Sequence, residues 1–241
     1  MRKIIAAGIC AMAFSSSGCA RHMSGEPGPT VERNYNVGAF DRISLAGAYD
    51  ADVRTGSAIS VHAKGGENLL DRIEVEVEGG TLKIRPKHHN GFNWSWGSRG
   101  KVELLITVPQ LHGATLAGSG SINVDKVQGD SFEGEVAGSG EMTVGNIQVQ
   151  SLKLSIAGSG DLKANGGRAQ SADVDIAGSG GVDARGVQAE QLKVSIAGSG
   201  DVQAHATKAA DVSIMGSGDV TVSGGARCTI HKAGSGSVNC S

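Results

Sequence analysis

The chain has 241 residues, a formal net charge of −2 and 38 glycines, whereas aromatic residues make up only 3%. The glycines follow no triplet period, which excludes a collagen helix. Acidic and basic residues are interspersed without a basic tract, so nucleic-acid binding has no electrostatic basis. No apolar run reaches the length of about 18 residues that a transmembrane helix needs, and we expect none in the mature chain.

The N-terminus has the pattern of a bacterial export signal over residues 1–19. Arg2 and Lys3 precede an apolar stretch, and Ser17-Gly18-Cys19 resembles a lipobox. We predict that Cys19 becomes the acylated first residue of a lipoprotein. Serine at position 16, where that pattern prefers leucine, leaves an ordinary signal peptide as the alternative. Alanine at position 20 favours the outer membrane, and residues 20–34 are predicted to form a flexible tether.

Residues 35–110 are predicted to form short strands continuous with the solenoid described below. The strict alternation of residues 73–78 indicates a strand with one wet face. Gly79-Gly80 then predicts a tight hairpin turn into residues 81–84. A single helical turn is expected at residues 67–71, and a strand over 101–108 should end at Pro109.

An aromatic segment interrupts this region and holds both tryptophans. Phe92, Trp94 and Trp96 are candidate ligand-binding residues, for stacking on sugar rings, entering a lipid interface or anchoring a partner. The alternative is that the two tryptophans fold back to cover an open end. The adjacent His88 and His89 have no third ligand spaced with them, so we predict no metal site.

From residue 111 to 241 the chain repeats. Gly-Ser-Gly occurs at 118–120, 138–140, 158–160, 178–180, 198–200, 216–218 and 234–236, with spacings of 20 and then 18 residues. A fixed period of this length is typical of a solenoid. We predict an all-β fold, a single-stranded, right-handed parallel β-helix with coils of about 20 residues and Gly-Ser-Gly corners.

Apolar residues recur with one parity on both sides of each corner and should point inward. A third short strand is expected around Val127, Ile147 and Val187. One outward column alternates in charge: Glu133, Lys153, Asp173, Lys193, Asp211. We interpret this column as stacking specificity, because a slip by one coil would place like charges together. Without long inserted loops, the outer wall should be smooth.

The corners could in principle carry chemistry. Seven equivalent serines without a histidine partner do not form a nucleophile, and we predict no catalytic residue and no cofactor. Asp161, Asp201 and Asp219 follow their corners and suggest calcium ligation, but other coils lack an acid there.

The last coil departs from the repeat. Cys228 and Cys240 replace apolar residues on inward positions of different strands. In an exported protein without Cys10, and with Cys19 acylated, they form the one remaining pair, so we predict a disulfide. Lys232, on a column of isoleucines, indicates that this coil is open to solvent.

Several stretches carry a resemblance to a known family. They are residues 40–43 before a degenerate corner at Gly47, then 66–70, 79–82, 106–109 and 116–120. In order and spacing the chain resembles the putative auto-transporter adhesin head GIN domain family of bacterial exported lipoproteins, over about residues 35–236. The resemblance implies a β-helical fold and a cell-envelope location, and brings no catalytic residues.

The function predicted from these features is that of a non-catalytic envelope lipoprotein. Its β-helical surface would serve adhesion or the binding of an envelope protein or polysaccharide, and its lipid would hold it to the membrane. The alternative is a polysaccharide lyase or hydrolase, which would need a cleft with clustered carboxylates or a basic residue. End-to-end stacking of coils is a third hypothesis, against which the disulfide and Lys232 argue mildly.

Overall fold

The computed structural model describes residues 28–87 and 100–241, which form a β-solenoid of about six turns. All of the described strands belong to one continuous sheet. The strands are β1 Thr30–Tyr35, β2 Arg42–Gly47, β3 Asp50–Thr55, β4 Ser60–Gly66, β5 Ile73–Glu78, β6 Thr81–Pro86, β7 Val102–Val108, β8 Gly113–Gly118, β9 Ser121–Gly138, β10 Glu141–Gly158, β11 Asp161–Ala164, β12 Gly167–Gly178, β13 Gly181–Gly198, β14 Asp201–Gly216, β15 Val220–Ser223, β16 Arg227–Gly234 and β17 Val238–Cys240; the helix α1 is Glu67–Leu70. No helix within these ranges has the length and apolar character needed to cross a bilayer.

The predicted parallel β-helix is confirmed by the strand register. Strands β9 and β10 pair in parallel with an offset of 20 residues from Ser121 to Gly158. The change to an 18-residue coil is absorbed between β13 and β14, where the register shifts after Ala184 and again after Ala189. Both shifts lie away from the corner, so the corners remain stacked.

Each coil has three sides. Face A consists of the strands that lead into a corner, such as 131–138 and 151–158, and face B of the strands that follow one, such as 121–124 and 141–144. The predicted third strand is present: Val127 and Ile147 are fully buried and pair with each other. The inward apolar columns of all three sides form one core. That core buries enough apolar area to stabilise the stack.

The corner glycines are needed for close stacking. Gly118 has a φ of 134°, and a Cβ placed on it would overlap the carbonyl of Gly47 one coil away. Ser139 donates its backbone N–H to the Gly118 oxygen at 2.9 Å, and the same bond recurs along the column. The corner is therefore a backbone ladder.

The degenerate corner at Gly47 lies at an unexpected level of the stack. The coil made by β2 and β3 pairs with β8 and β9 on one side and with β6 and β7 on the other. Strands β2 and β3, which come early in the sequence, thus lie inside the stack. Phe92, Trp94 and Trp96, in the sequence between β6 and β7, lie outside the described residues, as does Cys19.

The N-terminal end is closed by antiparallel elements. On face A, β5 forms the predicted hairpin with β6, and Gly79 and Gly80 have positive φ. On face B, β4 pairs with β7 and with β1. The predicted helical turn is confirmed as α1, whose Leu70 is fully buried. Residues 30–34 differ from the expected tether, because their backbone pairs with β4 as part of β1.

The C-terminal end has no such cap. The predicted Cys228–Cys240 disulfide is confirmed and joins β16 to β17 across the last coil. Ile230, on an inward column, is 47% exposed because no further coil covers it. Lys232 donates to the carbonyl of Gly236 at 2.7 Å and bridges across the same end.

Candidate functional site

A groove runs along face A parallel to the solenoid axis, with a volume of about 560 Å³. It is lined by Ser151, Leu152, Ser171, Ala172, Asp173, Gln191, Leu192, Lys193, Ala209, Ala210, Asp211, Arg227 and Thr229. These residues span five coils, or about 19 Å at the usual strand spacing of about 4.8 Å. The smooth wall predicted from the sequence is therefore wrong on this face, and we call this feature the axial groove.

The groove forms where the chain bends from the third side onto face A. The strand pairing skips residues 150 and 170 at this bend, and Ser151 pairs with Ser171 immediately after it. That column holds the uncharged residues Ser151, Ser171, Gln191 and Ala209. The column two residues further on holds the charged residues Lys153, Asp173, Lys193 and Asp211. Small residues beside large ones leave a furrow, so no inserted loop is needed to build the walls.

Asp173, Lys193 and Asp211 of the alternating column form the charged wall of the groove, and the column itself continues beyond the repeat to Arg42. Register pairs Glu133 with Lys153, and the alternation continues to Asp211. Glu133 contacts Lys153 at 3.3 Å and Arg42 at 3.3 Å. Hydrogen bonding from Lys153, and to a lesser degree from Arg42, lowers the pKa of the Glu133 carboxyl. The N-terminal end of the column is thus neutralised internally.

The middle of the column is not neutralised in this way. Asp173 and Lys193 are adjacent in register, yet neither forms an ion pair within 4 Å among the described residues. One carboxylate oxygen of Asp173 is buried without a hydrogen-bond partner. Burial, with a contribution from the nearby Asp175, raises the pKa of the Asp173 carboxyl. The groove therefore presents the Lys193 ammonium group without an ion-pair partner in the described chain, one coil from a carboxylate with one buried, unbonded oxygen.

The groove lining is chemically mixed and nearly balanced in charge. Asp173 and Asp211 oppose Lys193 and Arg227, and serine hydroxyls and the Gln191 amide lie between. Such groups donate and accept hydrogen bonds from an extended polar ligand. Within 28–87 and 100–241, no three metal-ligating side chains cluster.

The aspartates after the corners have a structural role. Asp161 accepts a hydrogen bond from the Gly181 N–H at 3.2 Å, and Asp201 accepts one from the Asp219 N–H at 3.2 Å. Asp219 accepts from both the backbone and the hydroxyl of Ser237, which lowers its pKa. Each carboxylate thus links one coil to the next, which explains these acids without calcium.

Two histidine contacts deserve comparison with catalytic dyads. His205 Nδ1 lies 3.1 Å from the Ser223 hydroxyl, but that hydroxyl donates to the Ala204 carbonyl at 3.3 Å. The serine therefore accepts from the imidazole and is not activated by it. His112 contacts Asp41 at 3.2 Å and makes no contact with a hydroxyl or thiol in the described chain. Neither pair lines the axial groove.

The chain belongs to the family described as "Putative auto-transporter adhesin, head GIN domain", whose profile matches residues 39–226. This family supports an adhesion or binding role rather than catalysis, and indicates an extracellular or envelope-associated protein. No curated protein sequence matches the chain.

Solved structures share the fold. A putative adhesin from Bacteroides fragilis NCTC 9343 is 22% identical, with 90% of this chain and 99% of that chain covered and a TM-score of 0.79. A putative lipid binding protein from Parabacteroides distasonis ATCC 8503 is 28% identical, with 89% and 97% covered and a TM-score of 0.69. A putative adhesin from Parabacteroides merdae ATCC 43184 is 20% identical, with 89% and 97% covered and a TM-score of 0.70.

Proposed function

We propose that this protein is an exported lipoprotein, acylated at Cys19 in the outer membrane, that binds an extended polysaccharide of the cell envelope without cleaving it. The observation that carries the proposal is the axial groove, which is open along five coils and lined by hydroxyl, amide and oppositely charged groups. A linear polymer fits an open furrow better than a compact ligand does, because each of the successive coils contributes polar groups along its length.

The charge balance of the groove selects among polysaccharides. Two carboxylates and two basic side chains line it, so a strongly anionic polymer would meet Asp173 and Asp211 at unfavourable distances. We therefore expect the ligand to be a linear polysaccharide with little net charge. Its hydroxyls would donate hydrogen bonds to the other carboxylate oxygen of Asp173 and accept them from the ammonium group of Lys193.

The test is binding to immobilised polysaccharides of neutral, anionic and amino-sugar composition. The variant Ser171→Trp places a large side chain in the middle of the groove, and Gln203→Trp places the same side chain on the exposed surface of face B as the matched control. We expect Ser171→Trp to abolish binding and Gln203→Trp to retain it. Equal binding by both variants would show that the axial groove is not the polysaccharide-binding site.

The aromatic segment with Phe92, Trp94 and Trp96 is the other candidate contact. The double variant Trp94→Ala/Trp96→Ala distinguishes the two. Loss of polysaccharide binding in this variant, with wild-type binding in Ser171→Trp, would assign the ligand to the aromatic segment. Because one related structure is described as a putative lipid binding protein, phospholipid vesicles are included among the probes.

One observation favours polysaccharide cleavage as a second candidate. The raised pKa of Asp173, a half-buried carboxyl in a groove, is a property of general acids in glycosidases. Against it stands the attraction of Lys193 and Lys153, which opposes the rise in the pKa of Asp173 and favours its ionised form. Incubation of the bound polysaccharide with purified protein should release no new reducing ends or unsaturated sugars. Release that is lost in Asp173→Asn would establish the enzyme instead.

Lipid attachment is tested separately. We expect the mature protein to begin at a diacylated Cys19 and to partition with outer membranes, and Cys19→Ala to remain in the precursor form. A mature N-terminus at another residue, without attached lipid, would reject the lipoprotein hypothesis in favour of an ordinary signal peptide.

A further inference from the structure

The two edges of face A have opposite character. Among the described strands, the edge at the C-terminal end is β16, which has eight residues and pairs only with β14. The edge at the N-terminal end is β5, whose one strand partner within residues 28–87 and 100–241 is β6. An edge strand leaves N–H and C=O groups free for pairing with another strand.

On the exposed edge at β16, the inward positions hold Cys228, Ile230 and Lys232, and the outward positions hold an arginine and a histidine. Arg227 and His231 point outward with Thr229 between them, while Ile230 lies on the inward column. Neither Arg227 nor His231 forms an ion pair among the described residues. Two such edges would repel each other, whereas a strand with acidic outward and apolar inward positions would be attracted.

The chain carries one strand of that pattern, and it is β5. Glu74, Glu76 and Glu78 alternate with the half-buried Val75 and Val77. These glutamates contact Arg85 and Lys83 within their own hairpin and keep more than a third of their side-chain surface exposed. Since β5 runs opposite to β6, which is parallel to β2 and through it to the rest of face A, it would meet β16 of another copy in antiparallel orientation.

We propose that β16 of one molecule pairs antiparallel with β5 of a second copy, so that face A continues from one molecule into the next. One register brings outward residues opposite outward residues over six positions. It pairs Arg227 with Glu78, Cys228 with Val77, Thr229 with Glu76, Ile230 with Val75, His231 with Glu74 and Lys232 with Ile73. The half-exposed Ile230 is covered by Val75 of the second copy, and two basic residues face glutamates.

The contact is confined to face A. Face B has three strands beyond β3 at the N-terminal end, whereas face A has two beyond β2, so the two faces end at different levels. Two copies joined through β16 and β5 therefore cannot share one axis. The contact is head-to-tail and leaves one β5 and one β16 free, so it generates open chains rather than a closed dimer.

The test is sedimentation of the purified mature chain over a range of concentrations in the absence of any polysaccharide. We expect wild type to associate reversibly, and Arg227→Glu and Glu78→Lys each to weaken association by about tenfold or more. A 1:1 mixture of the two variants restores opposite charges at every contact and should associate like wild type. Arg168→Glu, on an exposed position of β12 remote from both edges, should associate normally.

Recovery in the mixture cannot come from misfolded variants, so the test does not depend on the stability of either one. Wild type that remains monomeric at all concentrations overturns the proposal. Variants that associate as well as wild type, or a mixture that fails to recover, overturn it as well. Because no polysaccharide is present, none of these results bears on ligand binding by the axial groove.

Discussion

Arg42 reaches across Gly113 to Glu133, with 3.3 Å between Nη1 of Arg42 and Oε2 of Glu133, although 91 positions separate them in sequence. Gly113 stands between them in the stack, and a Cβ there would lie 3.0 Å from the same guanidinium nitrogen. The missing side chain lets Arg42 extend the alternating column by one coil. The alternating charge column thus begins in a strand that the repeat does not include.

The ion pairs of Glu133 predict a pH-dependent contribution to stability. Its pKa is lowered by Lys153 and Arg42, so the stabilisation is present above the ordinary glutamate pKa and is lost as pH falls through the lowered one. We expect Glu133→Gln to reduce the free energy of unfolding by up to about 1 kcal/mol at pH 7, since the pair is partly exposed. In urea titrations the deficit should shrink below about pH 4. Glu135→Gln, which breaks no ion pair, is the control, and a deficit constant with pH would contradict the assignment.

Asp173 should show the opposite sign. Burial raises its pKa, so the ionised carboxylate costs stability at neutral pH and the cost disappears as protonation becomes complete in acid. We expect Asp173→Asn to raise the free energy of unfolding at pH 7 by some tenths to about 1 kcal/mol. This gain should vanish below about pH 4. Destabilisation by Asp173→Asn at pH 7 would mean that attraction to Lys153 and Lys193 outweighs burial.

The corner glycines should tolerate alanine less well than a turn glycine with free space around it. Gly178 has a φ of 137°, and a Cβ there would overlap the Gly158 carbonyl oxygen, whereas Gly225 has a φ of 74° and no neighbour within 4 Å of its Cβ. Gly225→Ala should cost about 1 kcal/mol through backbone strain alone. We expect Gly178→Ala to cost about 2–4 kcal/mol, because the collision adds to that strain. Equal unfolding free energies would show that close stacking does not determine the corner sequence.

Removal of the disulfide should loosen only the last coils. Cys228 and Cys240 close a loop of 12 residues, and loop-closure entropy gives a loss of about 2–3 kcal/mol for Cys228→Ala/Cys240→Ala. Because each coil contacts only its neighbours, hydrogen exchange should accelerate in β16 and β17 and remain unchanged in β9 and β10. Reduced wild type provides the matched comparison. Faster exchange throughout the solenoid would contradict local closure.

Much of the fold was predictable because the sequence pattern of one coil occurs seven times. Inward columns, corners and the third strand follow from aligning the coils, and a disulfide follows from two cysteines that both break the pattern. The position of the β2–β3 coil within the stack was not predictable, because the strands that it pairs with are 39 or more residues away in sequence. Nothing in a local pattern encodes that order.

The axial groove was missed for a different reason. The sequence shows a charged column and a column of small residues such as Ser151 and Ser171, but it does not show that the chain bends between the third side and face A at that position. Two adjacent outward columns on a flat wall would form a solvated surface. The signal available beforehand was the persistence of small side chains beside long ones over successive coils.

The central claim is that the axial groove binds the polysaccharide, and side-chain footprinting of the bound complex tests it most directly. Hydroxyl-radical labelling with and without the polysaccharide should show protection along the groove in Lys193, Arg227 and Thr229. Lys163 and Gln203, on the exposed surface of face B, should be labelled equally in both states. Protection on face B, or protection limited to Phe92, Trp94 and Trp96 with the groove unchanged, would contradict the account.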